Sequence, residues 1–214
     1  MADALRSLQI IRDRMTRRLI QLVIGLAFFG IGVALLLKSR LGTGSWDVLT
    51  QGISHHLPLS FGTITIIMSC IVLLLWIPLR QKPGIGTVAN GLLIGVFSDI
   101  GLRSIPDPSG IWMQILALAG GLLAVGIASG LYIGAGLGPG PRDGLMTGLH
   151  KRTGKPIWMV RTAIEVVVLV IGWLLGGIVG FGTIAVTLLI GPLCQIFLPM
   201  FTIRDREPAA SLAS

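Results

Sequence analysis

The sequence predicts an all-α, polytopic membrane helix bundle of six spans, arranged as two inverted-topology repeats with broken or re-entrant segments. Three observations carry that expectation. The 214 residues are 53% hydrophobic and 12% charged, with a mean hydropathy of +0.86, against about 25% charged in an ordinary soluble domain. Uncharged runs cover 19–37, 57–79, 83–98, 108–141 and 166–203, and about 20 helical residues cross the roughly 30 Å hydrocarbon core. The sequence also repeats itself at an offset of 96 residues.

The elements follow in order. Residues 1–17 form a basic segment with Arg6, Arg12, Arg14 and Arg17. The apolar run behind it lacks a small-residue cleavage site and reads as an uncleaved first span, 18–38. Further spans are expected at 61–79, 85–103, 111–135, 157–175 and 181–203. The last uncharged run is too long for one helix and breaks at Gly176, Gly177 and Gly180, a turn composition. With the N-terminus inside, Arg80, Lys82, Arg142, Lys151, Arg152, Lys155, Arg204 and Arg206 all fall on the cytoplasmic side. Only Lys38, Arg40 and Arg103 fall outside, so both termini are expected in the cytoplasm. The formal charge of +8 therefore points to lipid headgroups and not to nucleic acid. Cys70 and Cys194 both lie in apolar stretches and say nothing of compartment.

The repeat aligns without gaps. Residues 41–52 meet 137–148 with six identities in twelve, and 84–95 meet 180–191 with eight in twelve, where chance gives about one or two. Repeat 1 is taken as 18–107 and repeat 2 as 108–203, followed by a short cytoplasmic tail, 204–214. Three spans per unit is an odd number, so the second unit is expected upside down relative to the first. After the first span of each unit comes a glycine-rich break, Gly42 and Gly44 in one and Gly138 and Gly140 in the other. Each break leads into a segment too polar to cross alone, 45–57 or 141–152. Such backbone is tolerated at membrane depth only where protein or water covers it.

The stretches Gly-Thr-Gly-Ser-Trp-Asp-Val-Leu (42–49) and Gly-Pro-Gly-Pro-Arg-Asp-Gly-Leu (138–145), with the Gly-x-Gly-Thr and Leu-Leu-Ile-Gly elements that follow, resemble the YczE/YyaS/YitT family of bacterial integral membrane proteins. The resemblance covers nearly all of 15–203. It is nearest to the YczE branch, because YitT-type members add a soluble C-terminal domain. It implies a bacterial plasma-membrane location and a bundle of about six helices, and supplies no substrate.

Asp47 and Asp143 are the sharpest site candidates, since they occupy one position in both units, each just behind a break. One reading is helix capping, with Ser45 as N-cap and the carboxylate favoured by the helix dipole. The other is a pair of acids lining a central cavity and holding a cation, a proton or an amine. Arg142 replaces Trp46 in the second unit. It either pairs with an aspartate, binds an anionic group, or stands as an ordinary cytoplasmic charge. Trp46 is either an interfacial belt residue or a wall of the site. Arg161 and Glu165 lie four apart, as do Asp99 and Arg103, and structural pairing is the default for both sets. Asn90 suits an interhelical hydrogen bond. His55, His56 and His150 have no metal-ligand spacing, and glycines such as Gly25, Gly30, Gly121 and Gly126 suit close helix packing.

The function expected from these residues is secondary transport or permeation of a small polar or ionic solute at the repeat interface. The alternative is a membrane accessory or scaffold protein that binds a partner enzyme or receptor. An enzyme is not expected, because no nucleophile–base or metal-ligand pattern stands in the sequence. No cofactor is expected, and a homo-oligomer is compatible with everything above.

Overall fold

A computed structural model describes residues 2–203 of the chain, with side chains from Met15 onward. Arg204 and Arg206 lie outside the described residues, as do the side chains of Arg6, Arg12 and Arg14. The described residues form eight helices: α1 Ala2–Ser39, α2 Ser45–Ser54, α3 Phe61–Trp76, α4 Ile85–Ser104, α5 Ile111–Gly134, α6 Pro141–Thr153, α7 Ile157–Leu174 and α8 Phe181–Phe201. The starts of α2, α3 and α4 at Ser45, Phe61 and Ile85 recur 96 residues later at Pro141, Ile157 and Phe181. The apolar part of α1 begins at Met15, and α5 begins at Ile111.

Five of these helices are long and apolar enough to cross a membrane: Met15–Ser39, Ile85–Ser104, Ile111–Gly134, Ile157–Leu174 and Phe181–Phe201. The sixth expected span, 61–79, is realised as the 16-residue α3, about 24 Å long at 1.5 Å per residue. Pro78 stops it early, since proline has no N–H to continue the helical ladder and its ring clashes with the carbonyl four residues back. At the N-terminus α1 runs from Ala2 through the 17/18 boundary without a break.

Local chemistry explains the starts of three helices. The Ser60 side chain accepts from the Thr63 N–H and caps α3. The Thr87 and Thr183 hydroxyls accept from the Gly84 and Gly180 N–H groups at the starts of α4 and α8. Asp99, expected to pair with Arg103, instead accepts from the Ser60 hydroxyl and, at 2.7 Å, from the Gly62 N–H. It caps α3 from the neighbouring helix, where free N–H groups favour a carboxylate, and Arg103 is exposed.

The two units interlock. α1 packs along α5, α2 of the first unit against α7 of the second, and α6 of the second against α3 of the first. A Cβ on Gly25 would lie 3.2 Å from the Ala128 carbonyl oxygen, and one on Gly121 would lie 2.9 Å from the Gly32 carbonyl oxygen. Shifting the first contact by 96 residues and exchanging the helices gives the second, so α1 and its counterpart α5 run antiparallel. The same reciprocity appears in backbone hydrogen bonds: Gly86 N donates to Leu137 O at 2.9 Å and Gly182 N to Leu41 O at 2.7 Å. The core lies along the α1–α5 contact, where Leu22, Leu26, Val33 and Leu36 are buried. The outward faces of α7 and α8 expose Trp173, Leu174, Leu188 and Ile196, as lipid-facing helices do.

Candidate functional site

Both breaks turn the chain sharply before a short helix. Gly42 and Gly138 take φ of +106° and +118°, a region that disfavours side chains. A Cβ at Gly42 would also come within 2.6 Å of the Thr183 hydroxyl, so glycine here serves both the turn and the close approach of α8. Two residues later Gly44 and Gly140 are the N-caps of α2 and α6. Ser45, expected as the cap, is instead the first helical residue, and no side chain caps α2. A Cβ at Gly44 or Gly140 would sit 3.3 or 3.2 Å from the Asp47 or Asp143 carboxylate. The glycines thus leave room for the acids to fold back over the helix start.

The two acids have unlike surroundings. Asp47 is buried and accepts from the Thr43 hydroxyl at 3.4 Å. Its other oxygen lies 3.7 Å from Nη2 of Arg142, with the two side chains 12% and 34% exposed. That separation makes an ion pair but exceeds the roughly 2.7–2.9 Å of a charge-assisted hydrogen bond. The Arg142 guanidinium also lies over the Trp46 ring, 5.1 Å from its centroid, within cation–π range. Trp46 is therefore not a belt residue: it is buried among Leu49, Val72, Trp76, Leu145 and Val168. Asp143 accepts from the Tyr132 hydroxyl at 3.1 Å. On the same side, a Cβ at Gly140 would lie 3.4 Å from the Asn90 amide nitrogen. Position 186, the counterpart of Asn90, is Val186 and sits by Gly44.

The first turns of α2 and α6 therefore meet, through Trp46, Asp47 and Arg142. The far end of α2 lies by the end of α7, where His56 Nε2 bonds to the Leu175 carbonyl at 3.1 Å. The far end of α6 lies by the α3–α4 turn, where Arg152 donates to the Pro78 carbonyl at 2.8 Å. Arg161 and Glu165 do not pair: no ion pair joins them within 4.0 Å, and Arg161 is exposed. Arg161 sits near the start of α7, on a face open to solvent or headgroups. Glu165 is half-buried, one turn further along the helix, and within electrostatic reach of Asp47.

Tyr132 is the site residue the sequence reading missed. The signal was present, since it is the single tyrosine of the chain and a buried phenol in an apolar helix needs a partner. Tyr132 also packs edge-on against Phe29 at 6.1 Å, which ties the Asp143 side of the site to α1. A chamber of about 260 Å³ opens at one end of the bundle, lined by Lys38, Arg40, Gln51, His55 and Asp107 among others. Beside it, against Gly42 and Thr43, the residue that bonds Asp47, lies a gap too narrow to admit water.

The sequence is similar over residues 16–199 to a family of unknown function, DUF6198. It is 37% identical over 177 residues to an uncharacterized protein of Haemophilus influenzae, covering 83% of this chain and 81% of that one. The uncharacterized membrane protein YczE of Bacillus subtilis is 34% identical over 177 residues, with 82% of each chain covered. The uncharacterized protein YyaS of the same organism is 25% identical over 181 residues, covering 83% of this chain and 90% of that one. No solved structure matches.

Proposed function

The chain belongs to the DUF6198 family of YczE-like bacterial membrane proteins, and on that footing we propose that it is a secondary transporter or permease for a small polar or ionic solute. In this reading the units insert in opposite senses, both termini face the cytoplasm, and the role is not enzymatic. The two short helices reach in from opposite faces, and solute is bound where their first turns meet. Asp47 and Asp143 contact the solute or a coupled ion. Arg142 and Trp46 set selectivity, with Tyr132 and Asn90 on the Asp143 side.

The observation that carries the reading is the Arg142–Asp47 ion pair, which joins the two breaks. A charged pair inside an apolar bundle is costly unless it is used or compensated. Here the geometry is loose, so the guanidinium is free to give way to another cation. The guanidinium on the Trp46 face beside a carboxylate supports a cationic solute or ion at this position.

The test is flux into proteoliposomes of the purified protein, screened with protons, sodium, guanidinium, methylammonium and zwitterionic amino acids. Movement of at least one probe in the wild type, lost in Asp47→Asn and in Asp143→Asn while both variants stay folded, is the expected result. Equal flux in wild type and both variants would remove the aspartates from the site. No flux of any probe, with a partner protein co-purifying, would favour the accessory role instead.

A further inference from the structure

We propose that the chamber between the ends of α1, α2 and α4 is a binding site for a small anion bearing carboxylate or phosphate oxygens. Its space, about 260 Å³, is that of roughly eight waters. Two cations converge on a carboxylate that the chain itself supplies: Lys38 Nζ lies 2.9 Å and Arg40 Nη2 4.0 Å from the same oxygen of Asp107. The Lys38 side chain is 16% exposed and Asp107, on the connecting loop, is 62% exposed. Asp107 thus occupies the place an incoming anion would take, on an exposed connecting segment. Gln51 accepts from the Ile178 N–H with its carbonyl oxygen, so its remaining group is a donor, as an anion site requires.

The sister unit supplies the control. The counterparts of Lys38, Arg40 and Asp107 are Gly134, Gly136 and Ile203, and there the Ile203 N–H bonds directly to the Gly134 carbonyl at 3.1 Å. A Cβ at Gly134 would lie 2.6 Å from the Phe201 carbonyl oxygen, and that end is closed by backbone together with Gln21, which donates to the Leu131 and Phe201 carbonyls, and Arg18, which donates to the Ala135 carbonyl. The second unit closes without counterparts of Lys38, Arg40 and Asp107; the cation there, Arg18, donates to a backbone carbonyl, and no carboxylate stands at the position of Asp107. Arg40 sharpens the point. It sits at φ +56°, where its counterpart Gly136 sits at +66°, so the first unit holds a long cationic side chain in a backbone conformation that favours glycine. The proposal does not depend on transport, since a site of this chemistry serves equally as a vestibule or as a receptor for an anionic ligand.

The experiment measures the thermal midpoint of the full chain in phosphatidylcholine nanodiscs, titrated with acetate or inorganic phosphate at constant ionic strength. A parallel arm replaces part of the phosphatidylcholine with phosphatidylglycerol. Wild type should show a saturable upward shift. Asp107→Asn should bind severalfold tighter, because the tethered competitor is gone. Arg40→Gly should unfold no earlier than wild type, yet bind about tenfold more weakly, the loss of one charge-assisted hydrogen bond. A shift with phosphatidylglycerol alone, abolished by Arg40→Gly, assigns the site to a lipid phosphate. Absence of any shift in both arms, or an undiminished response in Arg40→Gly, overturns the proposal.

Discussion

The replacement of Trp46 by Arg142 between the two units is the substitution on which the site turns. It puts a cation opposite the Asp47 carboxylate and against an aromatic face. Removing the cation in Arg142→Gln leaves Asp47 buried and uncompensated. Because the pair is 3.7 Å apart and Arg142 is one-third exposed, the expected loss is about 1–2 kcal/mol, below that of a fully buried pair. Asp47→Asn together with Arg142→Gln should recover part of it in a double-mutant cycle, measured by equilibrium unfolding in mixed micelles. At the chamber the Lys38 hydrogen bond, with the Lys38 charge behind it, holds the Asp107 carboxyl below its ordinary value. A depressed carboxylate contributes fully above its unfolded value and loses its contribution as pH falls through the lower folded one. The acid side of a thermal-midpoint profile, below about pH 4, should therefore flatten slightly in Asp107→Asn.

The residues legible in the sequence were those that the repeat marked twice. Asp47 and Asp143 stood out because they share one register position, and Arg142 because it broke the symmetry. The partners were not legible, because they come from other helices: Thr43 was masked as a loop residue, Tyr132 as part of an apolar span, and Asp99 as one end of an i,i+4 pair with Arg103. Tertiary placement decided each of these. Asp99 found two donors at the start of α3 in place of an exposed arginine on its own helix.

Among the elements, large and small residues exchange places between the units. Val48 on α2 fits against Gly172 on α7, where a Cβ on Gly172 would come 2.8 Å from the Val48 backbone. The counterpart positions on α6 and α3 hold Gly144 and Trp76, and a Cβ on Gly144 would lie 1.9 Å from the Trp76 ring. Trp76 is buried and donates through Nε1 to the Pro141 carbonyl at 3.0 Å, which pins the start of α6. Gly144→Ala should accordingly destabilise the chain by about 3 kcal/mol through overpacking. Adding Trp76→Leu should be less damaging in that background than in wild type, a sign of coupling that thermal unfolding of the four proteins reads directly. Helix positions were the most legible level: the expected starts at 61, 85, 111, 157 and 181 are the observed ones. Glycine and proline breaks and the 96-residue register fix them locally. The early end of α3 at Trp76 followed from Pro78, whose effect the uncharged run to residue 79 concealed.

Over the whole molecule, the reciprocal contacts of α1 with α5, α2 with α7 and α6 with α3 bind each unit to the other more closely than to itself. Neither half is therefore expected to fold alone, and co-expressed halves 1–107 and 108–214 should accumulate together while either one by itself is degraded. The central claim is that the units enter the bilayer in opposite senses and send α2 and α6 inward from opposite faces to meet at Asp47 and Arg142. Single cysteines in a background lacking Cys70 and Cys194 test it most directly, with one set in place of His55 or Ser109 and the other in place of Lys82 or Lys151, labelled by an impermeant maleimide in sealed vesicles. Positions 55 and 109 should react from one side of the membrane and positions 82 and 151 only from the other; labelling of 55 and 151 from the same side would contradict the account.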